Sequence, residues 1–415
     1  MATDRQNFWL HVTEGCFASF GYQMVGGAIL LPPLIKTHLG GSPVIIGLMM
    51  SFISIGTLFQ FFSVRALERI PKKKAVVLFF GFWMRLPLAA IALALWLWGP
   101  VWPGRVLVAI VVCRLVMSVS MQINYPPWMD MLGDTVREDW RGRYFGYRQF
   151  ISALAAFGAS GLVLLVLDRW GFPDGYAMLI GAAFLSTMVS WVVYCFVNDT
   201  PDEAAKAKEP RHEPFVEYLR TVPRLLSKDR AFRRFLLYIL LGTIAGSAGM
   251  FRAVAGLETY GLPDKHLGTF IAVGAAGAMA GSLLFGHLGD RYGHKRNLVA
   301  ASTIMVLCNS LAAFAPTAGL YSVTFFLQGL AMGAFMASFM SYLLERAPAK
   351  IRMRYASVQG LLMVPVGLLA PVGAGKLVEL SGYDVLFTAA ACLQLGAVLV
   401  ALSLPRRNEM SFEPE

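Results

Sequence analysis

The chain has 415 residues, 57% of them hydrophobic and only 15% charged, with a formal net charge of +11. Soluble domains run at about 45–50% apolar and about 25% charged, so this balance excludes intrinsic disorder and points to a chain solvated by lipid. A spanning helix takes about 20 apolar residues, so the length fits twelve spans with short loops and leaves no room for a soluble domain beside them.

Apolar runs fall at about residues 12–35, 43–64, 75–99, 104–129, 145–168 and 175–197, and again at about 232–256, 266–288, 297–316, 318–343, 355–378 and 384–404. This predicts an all-α membrane protein of 12 transmembrane helices in two six-helix bundles. The N-terminal bundle covers 1–197, a cytoplasmic linker 198–230, the C-terminal bundle 231–404 and a cytoplasmic tail 405–415. Met1 to Leu10 lack the basic region and cleavage site of a removable leader, so the first run is expected to be retained. The linker balances seven acidic against seven basic residues and is interrupted by four prolines. Phe215, Leu219 and Val222 share one face there, the pattern of an interfacial amphipathic helix.

With the first span running outward, 28 of the 36 Lys and Arg residues fall on the cytoplasmic side and 5 in the outer loops. That bias places both termini inside and explains the net charge without nucleic acid. Arg148 is counted with the basic loop between the fourth and fifth runs. Arg85, Arg114 and Arg252 remain inside runs.

Cys16, Cys113, Cys195, Cys308 and Cys392 lie far apart in apolar runs and read as small buried side chains. No cofactor motif, metal-ligand spacing or nucleotide-binding loop is present, so the chain reads as neither an enzyme nor an ATP-driven pump.

The two halves resemble each other. Leu132 to Tyr144 aligns with Leu343 to Tyr355 at a constant offset of 211, and Glu68 to Lys74 aligns with Asp290 to Arg296 at an offset of 222. Two sets in the same order and orientation form a parallel repeat. Gly286 to Arg296, GHLGDRYGHKR, resembles the signature of the major facilitator superfamily, with His294 in place of the usual arginine. The first-half copy, Val64 to Lys74, departs at Val64, Glu68 and Pro71. The resemblance implies transport by rocking two bundles about a central cavity. It also implies gating by Asp290 and Arg291 with Glu68 and Arg69. Gly286 is expected to admit a close helix approach, with Gly293 in the turn. Lys295 and Arg296 are expected to reach anionic headgroups or carboxylates. Glu138, Arg141 and Arg143, with their counterparts Glu345, Arg352 and Arg354, are the expected partners of this cluster. Drug antiporters of the family carry a glycine- and proline-rich pattern in the fifth span; here it sits around Pro371 instead.

A charge inside the bilayer costs about 2.5–3.5 kcal/mol on insertion scales, so Arg114 should face a partner or an aqueous cavity. Helical spacing puts Arg114, Ser118, Gln122 and Tyr125 on one face with Asn124 beside it, a surface suited to an anionic or polar solute. Glu14, near the start of the first span, and Asp130, near the end of the fourth, are candidate proton carriers at the inner mouth. Arg85 is expected to snorkel, and Arg252 with Glu258 to be rim charges. In the facilitator arrangement the first, fourth, seventh and tenth spans line the cavity, offering Gln23, Thr243, Ser247 and Gln328 with Phe325, Met332, Met336 and Phe339. No span is expected to hold a deeply placed histidine.

The sequence therefore predicts a proton-coupled secondary transporter of a small solute, a monomer in a bacterial inner membrane. The alternatives are a uniporter, including one for a metal or metal chelate, a transporter-like receptor or assembly factor with no flux, and a channel.

Overall fold

The computed structural model describes residues 2–25, 29–68, 70, 73–198, 229–346 and 352–405. The linker helix expected over 215–222 and the tail beyond 405 lie outside these. The described residues are nearly all helical.

The first helix, α1, is Ala2–Val25, and it begins about ten residues before the apolar run. Its polar start is held by packing: Phe8 and Val12 join Leu132, Val136 and Tyr144 in a buried cluster. Asn7 and Asn198 exchange two hydrogen bonds, each 3.0 Å. The run's second part is a helical turn, Leu31–Pro33, followed by a π-helical segment, Leu34–His38. Next comes α2, Pro43–Glu68.

The third run divides into α3, Lys73–Trp83, and α4, Leu86–Trp98, with Arg85 at the join. Pro87 in the first turn of α4 has no N–H to continue the α3 ladder. Three long helices follow: α5 Pro103–Thr135, α6 Glu138–Arg169 and α7 Asp174–Cys195.

The seventh run is also broken. It forms α8, Arg230–Gly246, a 3₁₀ segment Ser247–Phe251 and α9, Arg252–Tyr260. Asp229 caps α8, its carboxylate accepting from the Ala231 and Phe232 amides at 2.9 and 2.8 Å. Then come α10 His266–Tyr292, α11 His294–Phe314, α12 Ala318–Arg346 and α13 Arg352–Leu402. The helix of α13 breaks at Gly382, where φ is 84°.

Among the described residues, ten stretches are long and apolar enough to cross a membrane. One of these, Val358–Leu402, holds two spans either side of Gly382, and α1 supplies the first, giving twelve in two sets of six. The repeat is visible in packing. Tyr144 is buried against Phe8, and its counterpart Tyr355 is buried against Phe232, with ring centroids 6.4 and 4.6 Å apart.

The chain clusters into two compact units, Met1–Glu209 with Met250–Ala272, and Pro210–Gly249 with Val273–Glu415. In the first unit, Gly21 of α1 crosses α7 so closely that a Cβ there would lie 2.6 Å from Thr187 and 2.8 Å from the Ala183 carbonyl. Met250–Ala272 is tied to the same unit by polar contacts: His38 meets Asp264 at 2.6 Å and Lys265 meets Asp168 at 2.8 Å. The His38 ring also stacks on Phe172, with centroids 4.5 Å apart.

In the second unit, α10 and α12 touch backbone to backbone. A Cβ on Gly277 would lie 2.1 Å from the Phe326 carbonyl, and one on Gly329 2.1 Å from the Gly274 carbonyl. Gly281 and Gly333 continue the contact one turn on. These are small residues at four-residue spacing on both helices, the pattern that lets helices pack closely in lipid.

Candidate functional site

The close crossing of α1 and α7 places Glu14 against Ser190. Glu14 is only 3% exposed, although it sits halfway along α1 and not near its start. Its carboxylate accepts from Arg148 of α6 at 3.1 Å and from the Ser190 hydroxyl at 3.0 Å. The Arg85 guanidinium stands 3.9 Å away. Gly15, beside Glu14, leaves the space that Arg148 enters; a Cβ there would lie 2.9 Å from its Nη1.

Arg85 does not snorkel. It is 2% exposed and spends its donors internally, on the Thr187 and Gly81 carbonyls, each at 2.7 Å, and on Ser190 at 3.0 Å. The break between α3 and α4, where the Arg85 amide bonds the Phe82 carbonyl, frees the Gly81 carbonyl it uses. Arg148 is likewise not a loop charge, because α6 begins at Glu138 and carries it inward. Its Nη1 also donates to the Tyr144 hydroxyl at 2.9 Å, and its guanidinium lies 5.2 Å from the centre of the Trp128 ring. Trp128 in turn donates to the Tyr194 hydroxyl. The result is an Arg–Glu–Arg cluster inside one unit, with two cations for one carboxylate.

A deeply placed histidine does exist. His11, three residues before Glu14, has no exposed surface. Thr135 donates its hydroxyl to the Met131 carbonyl at 2.6 Å, so it accepts from His11 Nε2 at 2.8 Å. This assigns the proton to Nε2 and leaves Nδ1 buried without a hydrogen bond among the described residues.

The expected face on the fourth span is divided. Gln122 donates to Thr57 of α2 at 2.7 Å, and Ser118 lies buried where Gly56 crosses its backbone. Asn124 is buried and faces Met84. Tyr125 and Asp130 are exposed, and the Tyr125 ring lies 5.9 Å from that of Trp128. Arg114 is half-buried; its Nε has no hydrogen bond, and it is in electrostatic reach of Tyr22 of α1. The Tyr22 hydroxyl is buried without a partner among the described residues, and Arg85 and Glu14 also lie within its electrostatic reach. Gln23 and Gln328 are half-buried on α1 and α12. Arg252 is fully buried, so it is no rim charge.

Several of the expected gating residues lie outside the described residues: Arg69 altogether, and the side chains of Glu68, Glu138, Asp290, Glu345, Arg352 and Arg354. Gly286 does not mark a close helix approach. A Cβ there would meet nothing within 4 Å, and the approach falls at Gly277, Gly281, Gly329 and Gly333 instead. Gly293 precedes α11 with φ 87°, a conformation that favours glycine. Arg291 and Arg296 flank the Tyr292 ring at 5.3 and 5.5 Å. Lys295 donates to the Leu402 carbonyl at 2.7 Å. Arg141 donates to the Gly133 and Val136 carbonyls, closing the end of α5, and Arg143 is exposed. Among the described residues, no group of three His, Cys, Asp or Glu could hold a metal.

Comparison with known proteins follows the same lines. The family model described as Major Facilitator Superfamily matches residues 15–281 and 257–415. A putative metabolite transport protein, YncC, of Bacillus subtilis is 36% identical over 96 residues, 23% of this chain and 20% of that protein. The 4-hydroxybenzoate transporter PcaK of Pseudomonas aeruginosa is 31% identical over 118 residues, 28% of this chain and 26% of that one. The chain thus spans only about a fifth to a quarter of the length of such curated relatives. Crystal structures of a point mutant of the nucleoside transporter NupG and of a D-xylose-proton symporter share the fold, with TM-scores of 0.75 and 0.74. They are 14% and 11% identical, covering 97% and 99% of this chain and 99% and 100% of theirs.

Proposed function

The chain belongs to the Major Facilitator Superfamily and is a multi-pass integral membrane protein, and from that premise we propose that it is a proton-coupled secondary transporter of a small solute. Both termini lie in the cytoplasm, as the 28-to-5 charge bias directs, and the membrane is a bacterial inner membrane. The protein works as a monomer and uses no resident cofactor.

The observation that carries the reading is the buried Glu14 between Arg148 and Arg85. Among the described residues, only Glu14 and Asp229 are buried carboxylates, and Asp229 is occupied as a helix cap. Protonating Glu14 removes the charge that holds two arginines on three helices, so α1, α6 and the α3–α4 break lose a common tie. A proton thereby changes the packing of one bundle, which is what coupling needs. His11 stands beside Glu14 with one ring nitrogen open, placed to pass the proton on. Asp130, exposed on α5, is where the proton meets water. The basic residues around Gly293, with Glu68, Arg69 and Asp290, gate the cytoplasmic side.

The names of similar proteins point to solutes rather than macromolecules: a hydroxybenzoate, a pentose and a nucleoside. The test is uptake of 4-hydroxybenzoate, D-xylose and uridine into proteoliposomes under an imposed pH gradient. One solute is expected to accumulate, and collapse of the gradient abolishes the accumulation. Uptake indifferent to the gradient makes the protein a uniporter; no uptake of any solute removes the transport reading in favour of a receptor.

A further inference from the structure

Arg85 and Arg148 have their donors matched to carbonyls, hydroxyls and Glu14. Arg114 does not. Its Nε is buried with no hydrogen-bond partner among the described residues, and the ion pairs to Glu14 are made by Arg85 and Arg148 instead. An arginine inside the bilayer that lacks a partner is costly, and a chain keeps such a cost where a ligand repays it. Tyr22, in its electrostatic reach, has a buried hydroxyl that is also unmatched.

Guanidinium is a donor-only group, and its planar fork fits a carboxylate by two parallel hydrogen bonds. A phenol adds a third donor. Local charge agrees: the buried carboxylate of the first unit, Glu14, is already held by Arg148 at 3.1 Å with Arg85 at 3.9 Å. A cationic solute would be repelled. A neutral polyol would leave the guanidinium charge unbalanced. A phosphate dianion would bring more charge than one free guanidinium balances. Asn124, whose Oδ1 is unmatched, stands ten residues from Arg114 on the same helix, about 15 Å along the axis, so it cannot share the same small group.

We propose that Arg114 and Tyr22 form the anion subsite of the transported solute, and that the solute is an organic monocarboxylate. The assignment rests on reading the chain as a transporter, but it concerns binding and needs no gradient.

The test is thermal unfolding of the purified full chain in detergent against matched carboxylates, amides and amines: acetate, acetamide and ethylamine through benzoate, benzamide and benzylamine, with inorganic phosphate as a further arm. At least one carboxylate raises the melting temperature, and its amide and amine do not. Arg114→Gln weakens that carboxylate by about tenfold or more, and Tyr22→Phe weakens it by less. Without ligand, Arg114→Gln melts no lower than the native chain, because it breaks no internal bond; a structural arginine would melt lower. Stabilisation by amides, amines or phosphate alone, by no carboxylate, or equally in Arg114→Gln overturns the assignment. Failure of proton coupling in the flux assay would leave this binding result intact.

Discussion

Glu14 on α1 lies 3.1 Å from Arg148 on α6, and this pair, with Arg85, is where the first unit concentrates its buried charge. The second repeat has no copy of it. At the offset of 211 that aligns Tyr144 with Tyr355, Arg148 aligns with Gln359. The halves share a scaffold, and the buried Arg–Glu–Arg cluster belongs to one of them.

Removing one partner of a buried ion pair leaves the other uncompensated and costs about 3–5 kcal/mol. Glu14→Ala strands two arginines, so it is expected to cost about that much, whereas the Glu14→Ala, Arg148→Ala double variant recovers part of the loss. Thermal unfolding of the three proteins in one detergent checks this; additive losses would mean that the pair is not coupled.

Gly329→Ala drives a methyl group into the Gly274 carbonyl and is expected to destabilise by about 1–3 kcal/mol. Gly286→Ala places its methyl group in open space and is expected to stay within about 0.5 kcal/mol. Melting temperatures separate the two, and a larger loss at Gly286 contradicts this packing.

Gly293 adopts φ 87° and ψ 147° ahead of α11. A side chain there costs about 1–3 kcal/mol in backbone strain, so Gly293→Ala is expected to melt lower than Gly286→Ala by that margin, measured in the same assay.

His38 and Asp264 meet at 2.6 Å with side-chain exposures of 22% and 17%. Partial solvation limits such a pair to about 1 kcal/mol. His38→Gln and Asp264→Asn are each expected to cost no more than that. The double variant is expected to cost no more than either single change, which a double-mutant cycle measures.

The spans were legible because lipid-solvated helices announce themselves as apolar runs, and the division at Gly382 fell between two of them; the break beside Pro87 was not read, because the apolar run continues through it. What escaped were helices that continue through polar residues. Residues 2–11 and 138–144 read as tail and loop, yet Phe8, Val12 and Tyr144 bury one face of each and carry the helix onward. That shift moved Glu14 to mid-helix, buried His11, and turned Arg148 from a loop charge into the partner of Glu14. Arg114 was legible as a lone cation in an apolar run. Its separation from Ser118 and Gln122 was not, because the spacing of one helix does not say which neighbour takes which side chain. The glycines of α10 and α12 stood at readable four-residue spacing, but the family signature drew the expectation to Gly286.

The most direct measurement is internal pH, followed with a trapped dye while the transported solute runs down its gradient into proteoliposomes. The native protein is expected to shift internal pH in step with solute entry, and Glu14→Gln to carry solute with no pH change. Proton movement at the native ratio in Glu14→Gln would contradict the assignment of Glu14 as the coupling carboxylate.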